Sequence, residues 1–169
     1  MALLGRSVII PSLMSTREEA IQTIKQLSPN LNLGDLTRVV LKLIRDHVGA
    51  DRGTLFVVDQ AKGEIRSVVA DRVVGEISLP IGFGIAGCVA ETGEVIDTYN
   101  PNYDERFDEK YEAILNYDTK DIYCMPVFNS DKVIVGVLEL LNRTRPFTQA
   151  DLDFLAKVGE AIAPLLATR

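Results

Sequence analysis

The chain has 169 residues, 47% of them hydrophobic and 25% charged, a balance ordinary for one soluble globular domain with a sizeable core. Its net charge is −6 and it holds no Lys/Arg cluster, which excludes the basic stripe that phosphate-backbone binding needs, so no nucleic-acid ligand is expected. Two cysteines (Cys88 and Cys124) and the single His47 are too few for a disulfide framework or a four-ligand zinc site. They fit a reducing cytoplasm. No stretch reaches the ~18 apolar residues of a membrane span. The opening "MALLGRSVIIPSLMS" is broken by Gly5, Arg6, Ser7 and Pro11 and lacks a basic n-region. It reads as an extension rather than a signal peptide.

In chain order, "STREEAIQTIKQL" opens like a helix, with Ser15 or Thr16 as cap and Ile21, Ile24 and Leu27 three apart. A stronger helix follows Asn32, where Leu33, Leu36, Val39, Val40, Leu43, Ile44 and His47 trace one broad apolar face and Gly49 stops it. In that pattern His47 is a packed or capping residue rather than a ligand. From residue 52 the period becomes strand-like: "RGTLFVVDQ" and "EIRSVVA" form a hairpin across "AKG", and "GEISLP" adds a short strand. A short helical piece, "GIAGCVAET", precedes a long acidic connection with a helix expected near residues 104–115. "DIYCMPVFN" and "KVIVGVLELLN" form a second hairpin across "SD". Thr148 caps the closing helix, with Asp151 at its third position. Helices at both ends of mostly antiparallel strands predict an α+β domain with a helical layer on one sheet face.

The stretch "GFGIAG" matches G-x-G-x-x-G, the spacing that carries a pyrophosphate in dinucleotide-binding folds. That use also needs a parallel strand before it, a long helix after it and a second parallel strand beyond. Here the preceding strand ends in Pro80 and the helix is barely two turns long. No NAD is expected. The glycines serve a tight strand-to-helix turn and close packing, leaving helix-start N–H groups able to meet an anion.

The phrases "LTRVVLKLIRDHVGADRGTLFVVD", "LPIGFGIAGCVAETGEVI", "YCMPVFNSDKVIVGVLELLN" and "FTQADLDFLAKVGEAIA", taken in order, resemble a GAF domain over about residues 30–167. The resemblance is to the branch found in cyclic-nucleotide phosphodiesterases and adenylyl cyclases and ahead of bacterial phosphatases and histidine kinases. It implies residues 1–29 as an extension or linker helix and 30–169 as the domain. The fold would be a six-stranded antiparallel sheet, terminal helices packed on one face and a small-molecule pocket on the other. A branch signature falls on Asn142, Arg143, Phe147 and Asp151, with Leu152 where the family has Glu; it implies a structural salt bridge between Arg143 and Asp151.

For a cyclic nucleotide, the resemblance implies pocket contacts at Ile85 and Ala86, Asp71, Thr119 and Glu139. Three further contacts depart from the pattern. A pocket tyrosine falls on Asp108, an Asp on Glu112, and a Thr-Gly on Leu115 and Asn116, changes that add negative charge where a phosphate would lie. Glu139 is the least expected charge, set in an apolar strand; it is expected to face the pocket or the sheet interior and to be hydrogen-bonded.

Bilin and haem GAF domains need a Cys followed by His, or a pocket histidine, which this chain lacks, so no haem or bilin is expected. A GAF-fold free methionine sulfoxide reductase needs cysteines in the pocket helix and middle loop, where Ala86 and a cysteine-free loop stand. No catalytic or metal-binding constellation is present, and no enzyme is expected. The leading expectation is a cytoplasmic sensor whose small-molecule ligand biases a helical homodimer joined to an output signalling domain in the same or a partner chain. The alternative is a ligand-free dimerisation and relay module, and the remote one is the GAF-fold methionine sulfoxide reductase. For the dimer, Leu36, Val40, Leu43 and His47, with Leu155, Gly159, Ile162 and Leu166, follow the period of a parallel helical seam.

Overall fold

A computed structural model describes residues 16–67, 76–108 and 117–167. Its helices begin where capping side chains stand. Helix α1 (Arg17–Lys25) starts at Thr16, whose hydroxyl accepts from the Glu19 N–H at 3.2 Å while the Glu19 carboxylate accepts the Thr16 N–H at 2.8 Å. Helix α2 (Leu33–Val48) starts at Asn32, whose side chain accepts the Asp35 N–H at 2.9 Å, and stops at Gly49 in the left-handed conformation.

Strands β1 (Ala50–Asp59), β2 (Glu64–Ser67) and β3 (Ile77–Pro80) lead to helix α3 (Gly84–Thr92). Strand β4 (Ile96–Tyr99), a 3-10 turn (Pro101–Tyr103), strands β5 (Asp121–Phe128) and β6 (Ile134–Arg143), and helix α4 (Gln149–Leu166) complete the described order. The six strands form one antiparallel sheet in the order β3-β2-β1-β6-β5-β4. Periodicity alone misses β4: four residues with only Ile96 buried carry too little alternation to separate from a loop. The helix expected over 104–115 is not found in its described part. Residues 105 and 106 form a turn in which Asp104 accepts the Arg106 N–H at 3.0 Å and its guanidinium at 2.6 and 2.8 Å, offering the backbone a local alternative to helix; residues 109–116 lie outside the described residues.

The sheet separates two cores. On one face Leu55, Val57, Tyr123, Met125, Val127, Leu138 and Leu140 meet α2, α4 and α1. Ala20, Ile21, Ile24 and Leu27 of the α1 region join that same core. On the other face Phe56, Ile65, Ile122, Cys124, Val137 and Leu141 meet α3 through Ile85, Ala86, Val89 and Ala90. The seam proposed for a dimer is consumed here. Leu36, Val40, Ile162 and Leu155 have no exposed surface, and Leu43 and Leu166 retain 2% and 1%. His47 packs at 5.4 Å against the ring of Phe154. A 3.5-residue spacing fits a sheet as well as a partner helix, and the sheet takes it.

Candidate ligand-binding site

On the face away from the terminal helices, the sheet and α3 flank a cavity of about 100 Å³ that opens to solvent. Its floor is Thr54 and Phe56 of β1, Ile122 of β5, and Glu139 and Leu141 of β6; its walls are Ile77 and Leu79 of β3, the α3 start from Phe83 to Ala86, and Phe107, Asp108 and Thr119. The polar groups are few. Thr54 and Glu139 are direct cross-strand partners, so hydroxyl and carboxylate rise side by side from one ladder.

The turn into α3 explains the three glycines. Gly82 and Gly84 have positive φ (86° and 68°), and a side chain on Gly87 would put its Cβ 2.7 Å from the Pro80 carbonyl. The Gly82 N–H donates to the Gly87 carbonyl at 2.9 Å, closing the turn. The residue before the helix is Phe83, which gives no side-chain cap. The first N–H groups of α3 are therefore left for whatever enters the cavity.

Glu139 is half-buried, facing the cavity, and none of the described residues hydrogen-bonds to its carboxylate. The expected orientation is found, and no hydrogen bond reaches the carboxylate from the described residues, whose neighbouring floor positions are aliphatic or aromatic apart from Thr54. Burial pushes the Glu139 carboxyl up to about 7. Beside it on β5, Cys124 is fully buried, and burial raises its thiol well above the ordinary range.

Of the residues the sequence singles out, Ile85, Ala86, Asp108, Thr119 and Glu139 converge on this cavity. Asp71 and Glu112 lie outside the described residues. Sequence reasoning missed Thr54, Phe83 and Phe107. Thr54 had a signal, as the polar residue set in the otherwise apolar core of "GTLFVV"; the two phenylalanines had none beyond standing next to glycine and to acidic residues.

The Arg143–Asp151 salt bridge is not formed. Arg143, its side chain 1% exposed, donates from Nε to Asp121 at 2.6 Å and from Nη2 to Asp97 at 2.7 Å, tying β6 to β5 and β4. Asp151 is taken instead by Arg17 and by Arg145, the latter at 2.6 Å. The antiparallel ladder sets Arg143 beside the start of β5, so the carboxylates in reach are those of the adjacent strands.

A layered α+β domain with a largely apolar cavity on the sheet face opposite its terminal helices fits a small-molecule-sensing regulatory domain. The GAF domain profile matches residues 32–166, and the chain belongs to that family. It is 33% identical over 151 residues to the dual 3',5'-cyclic-AMP and -GMP phosphodiesterase 11A of Takifugu rubripes, a match covering 80% of this chain and 17% of the relative. It is likewise 33% identical over 128 residues to the probable 3',5'-cyclic phosphodiesterase pde-5 of Caenorhabditis elegans, covering 68% of this chain and 17% of the relative. The chain thus spans about a sixth of the length of these relatives. Among solved structures, the GAF domain of an Acinetobacter phosphoenolpyruvate-protein phosphotransferase superposes with TM-score 0.73 at 18% identity, each chain 90% covered. The free methionine-R-sulfoxide reductase of Neisseria meningitidis superposes at 0.64 with 13% identity, covering 89% of this chain and 88% of that one. At such identities these likenesses show the fold alone. No helix among the described residues is long and apolar enough to cross a membrane.

Proposed function

We propose that this domain is a cytoplasmic sensor, part of a signal-transduction protein, that binds a cyclic nucleotide and relays its occupancy through the helical layer. The observation carrying this reading is the convergence of Ile85, Ala86, Asp108, Thr119 and Glu139 on one cavity beside the uncapped start of α3. There the helix-start N–H groups meet the phosphate, Phe83 and Phe107 offer faces to the base, and Thr54, Thr119 and Glu139 take its polar edges; the family resemblance adds Asp71 and Glu112 as contacts. The names of the sequence relatives support the ligand class. A non-catalytic role is supported by the thiols: Cys124 is buried with its thiol pushed up, the opposite of an activated nucleophile, and Ala86 stands at the pocket helix. The test is thermal unfolding with cAMP and with cGMP. Ligand at 100 times its Kd is expected to add about 2.7 kcal/mol of stability. Unchanged melting and silent calorimetry with millimolar ligand would leave the alternative, a ligand-free relay module.

The homodimer belongs to the same proposal, on a surface other than the consumed seam. Between β5 and α4 runs a groove lined by Met125, Val127 and Phe128 on one side and Ala156, Gly159 and Ala163 on the other, with Lys132 and Glu160 at its rim. The small residues permit close approach, and a twofold contact sets Lys132 of one copy against Glu160 of the other. Light scattering is expected to give twice the 18.6 kDa chain mass, and exposed Ala156→Glu to halve it without lowering the melting temperature. A monomeric wild type at high concentration removes the dimer.

A further inference from the structure

Among the described residues, the cavity lining is acidic or uncharged. Glu139 rises from its floor and Asp108 from its wall, and no Lys or Arg lines it among the described residues. Among the described residues, the groups around Glu139 offer no fixed positive partner from a packed element. From β1, Thr54 stands opposite it; one pleat away, Arg52 is committed to the ring of Tyr117 at 3.6 Å, whose hydroxyl in turn donates to Asp51 at 2.7 Å. From β5 comes the Cys124 thiol, held protonated by burial, and from α3 the apolar Ile85 and Ala86, with Cys88 giving its S–H to the Gly82 carbonyl at 3.5 Å. From β3 come Ile77 and Leu79.

Resting on the ligand-binding reading above, we infer that an anionic ligand enters this cavity with net uptake of one proton by Glu139, so that occupancy falls as pH rises through neutrality. A phosphate set at the α3 start shares the cavity with the Glu139 carboxylate, and like charges at a partly buried site repel more than in bulk water. A proton taken from the buffer removes that repulsion. It also turns Glu139 from an acceptor-only group into a donor that can meet a ligand oxygen or ring nitrogen. The ligand-free protein is already poised for this, because burial brings the Glu139 carboxyl to about 7 and no hydrogen bond from the described residues holds it ionised. The device is a pocket that reads its ligand and the proton together.

The experiment uses the domain with cAMP and cGMP as probes, wild type beside Glu139→Gln, in three measurements. Carbon-detected NMR titration of the side-chain carboxyls, with the variant assigning the resonance, is expected to show Glu139 titrating near neutrality in the free protein. Calorimetry in two buffers of different ionisation enthalpy is expected to give close to one proton taken up per ligand at pH 8. The Kd is expected to weaken about tenfold per pH unit above pH 7 in wild type and to lose that slope in Glu139→Gln, which should bind at pH 8 as wild type does at pH 6. Glu139 titrating below pH 5, binding without proton uptake, or a slope that survives in Glu139→Gln overturns the inference while leaving ligand binding intact. No binding by either protein at any pH overturns the ligand reading itself, and the inference with it.

Discussion

Replacing Leu43 with glutamate is expected to unfold the domain rather than to dissociate it. Leu43 lies on the face of α2 that packs with Leu55, Leu138, Leu140 and Leu155 in one core, and only 2% of its surface is exposed. A carboxylate there has no cation within the apolar layer, so it must either remain charged at a cost of several kcal/mol or take up a proton and still leave a cavity and an unpaired polar group. Against a total stability of roughly 5–15 kcal/mol, that loss is decisive. The expected result is loss of the cooperative thermal transition and of near-ultraviolet circular dichroism; Ile162→Glu should behave the same way. The milder Leu43→Ala is expected to cost about 2–5 kcal/mol and leave the association state as it is in wild type. A folded, monomeric Leu43→Glu would mean that this face meets a partner chain and not the sheet.

The second large effect concerns Asp151. Its side chain has no exposed surface, yet it is enclosed by its own partners rather than by the apolar core. It receives the guanidinium groups of Arg17 and Arg145, the Thr148 N–H at 2.8 Å and the Thr148 hydroxyl at 3.0 Å. Burial alone would raise its carboxyl, but these donors outweigh burial and hold it well below the usual carboxylate range. One side chain thus caps α4 and pins the start of α1 beside it. Asp151→Ala is expected to cost about 2–4 kcal/mol at pH 7 in urea denaturation. The sign with pH follows from a lowered folded-state pKa. The stabilisation is present above the unfolded-state value near 4 and is lost as pH falls below it. The difference between wild type and Asp151→Ala should therefore shrink steadily from pH 5 to pH 2. A constant difference across that range would place the contribution of Asp151 in packing instead of charge.

Much of this domain is legible in its sequence where a local rule acts without competition. Thr16, Asn32 and Thr148 cap their helices because each side chain needs only its own first turn. The two hairpins follow from β-rich runs around short turns. What is not legible depends on pieces far apart in the chain. The apolar stripe of α2 does not say whether a sheet or a second helix covers it, and the sheet that does cover it is assembled from both halves of the sequence. Arg143 has two aspartates from other strands within reach, Asp97 and Asp121, and only the strand order makes them nearer partners than Asp151. The site is intermediate. Ile85 and Ala86 come from the family resemblance and Glu139 also from its charge in an apolar strand, whereas Thr54 joins them solely because β1 and β6 lie side by side.

That central ladder also governs when the site comes into being. β1 and β6 pair from Ala50 with Arg143 to Val57 with Gly136, a closure of about 80–90 residues of chain, whereas β1–β2 and β5–β6 are joined by short turns. The two outer sets of strands can pair early and locally, but the middle of the sheet must wait for the far half of the chain, which makes this a slow-folding topology. Thr54 and Glu139 face each other across that last seam. The cavity floor therefore does not exist in either half alone: a nascent or partly unfolded chain has nothing with which to hold a ligand, and recognition begins only once the chain has closed on itself.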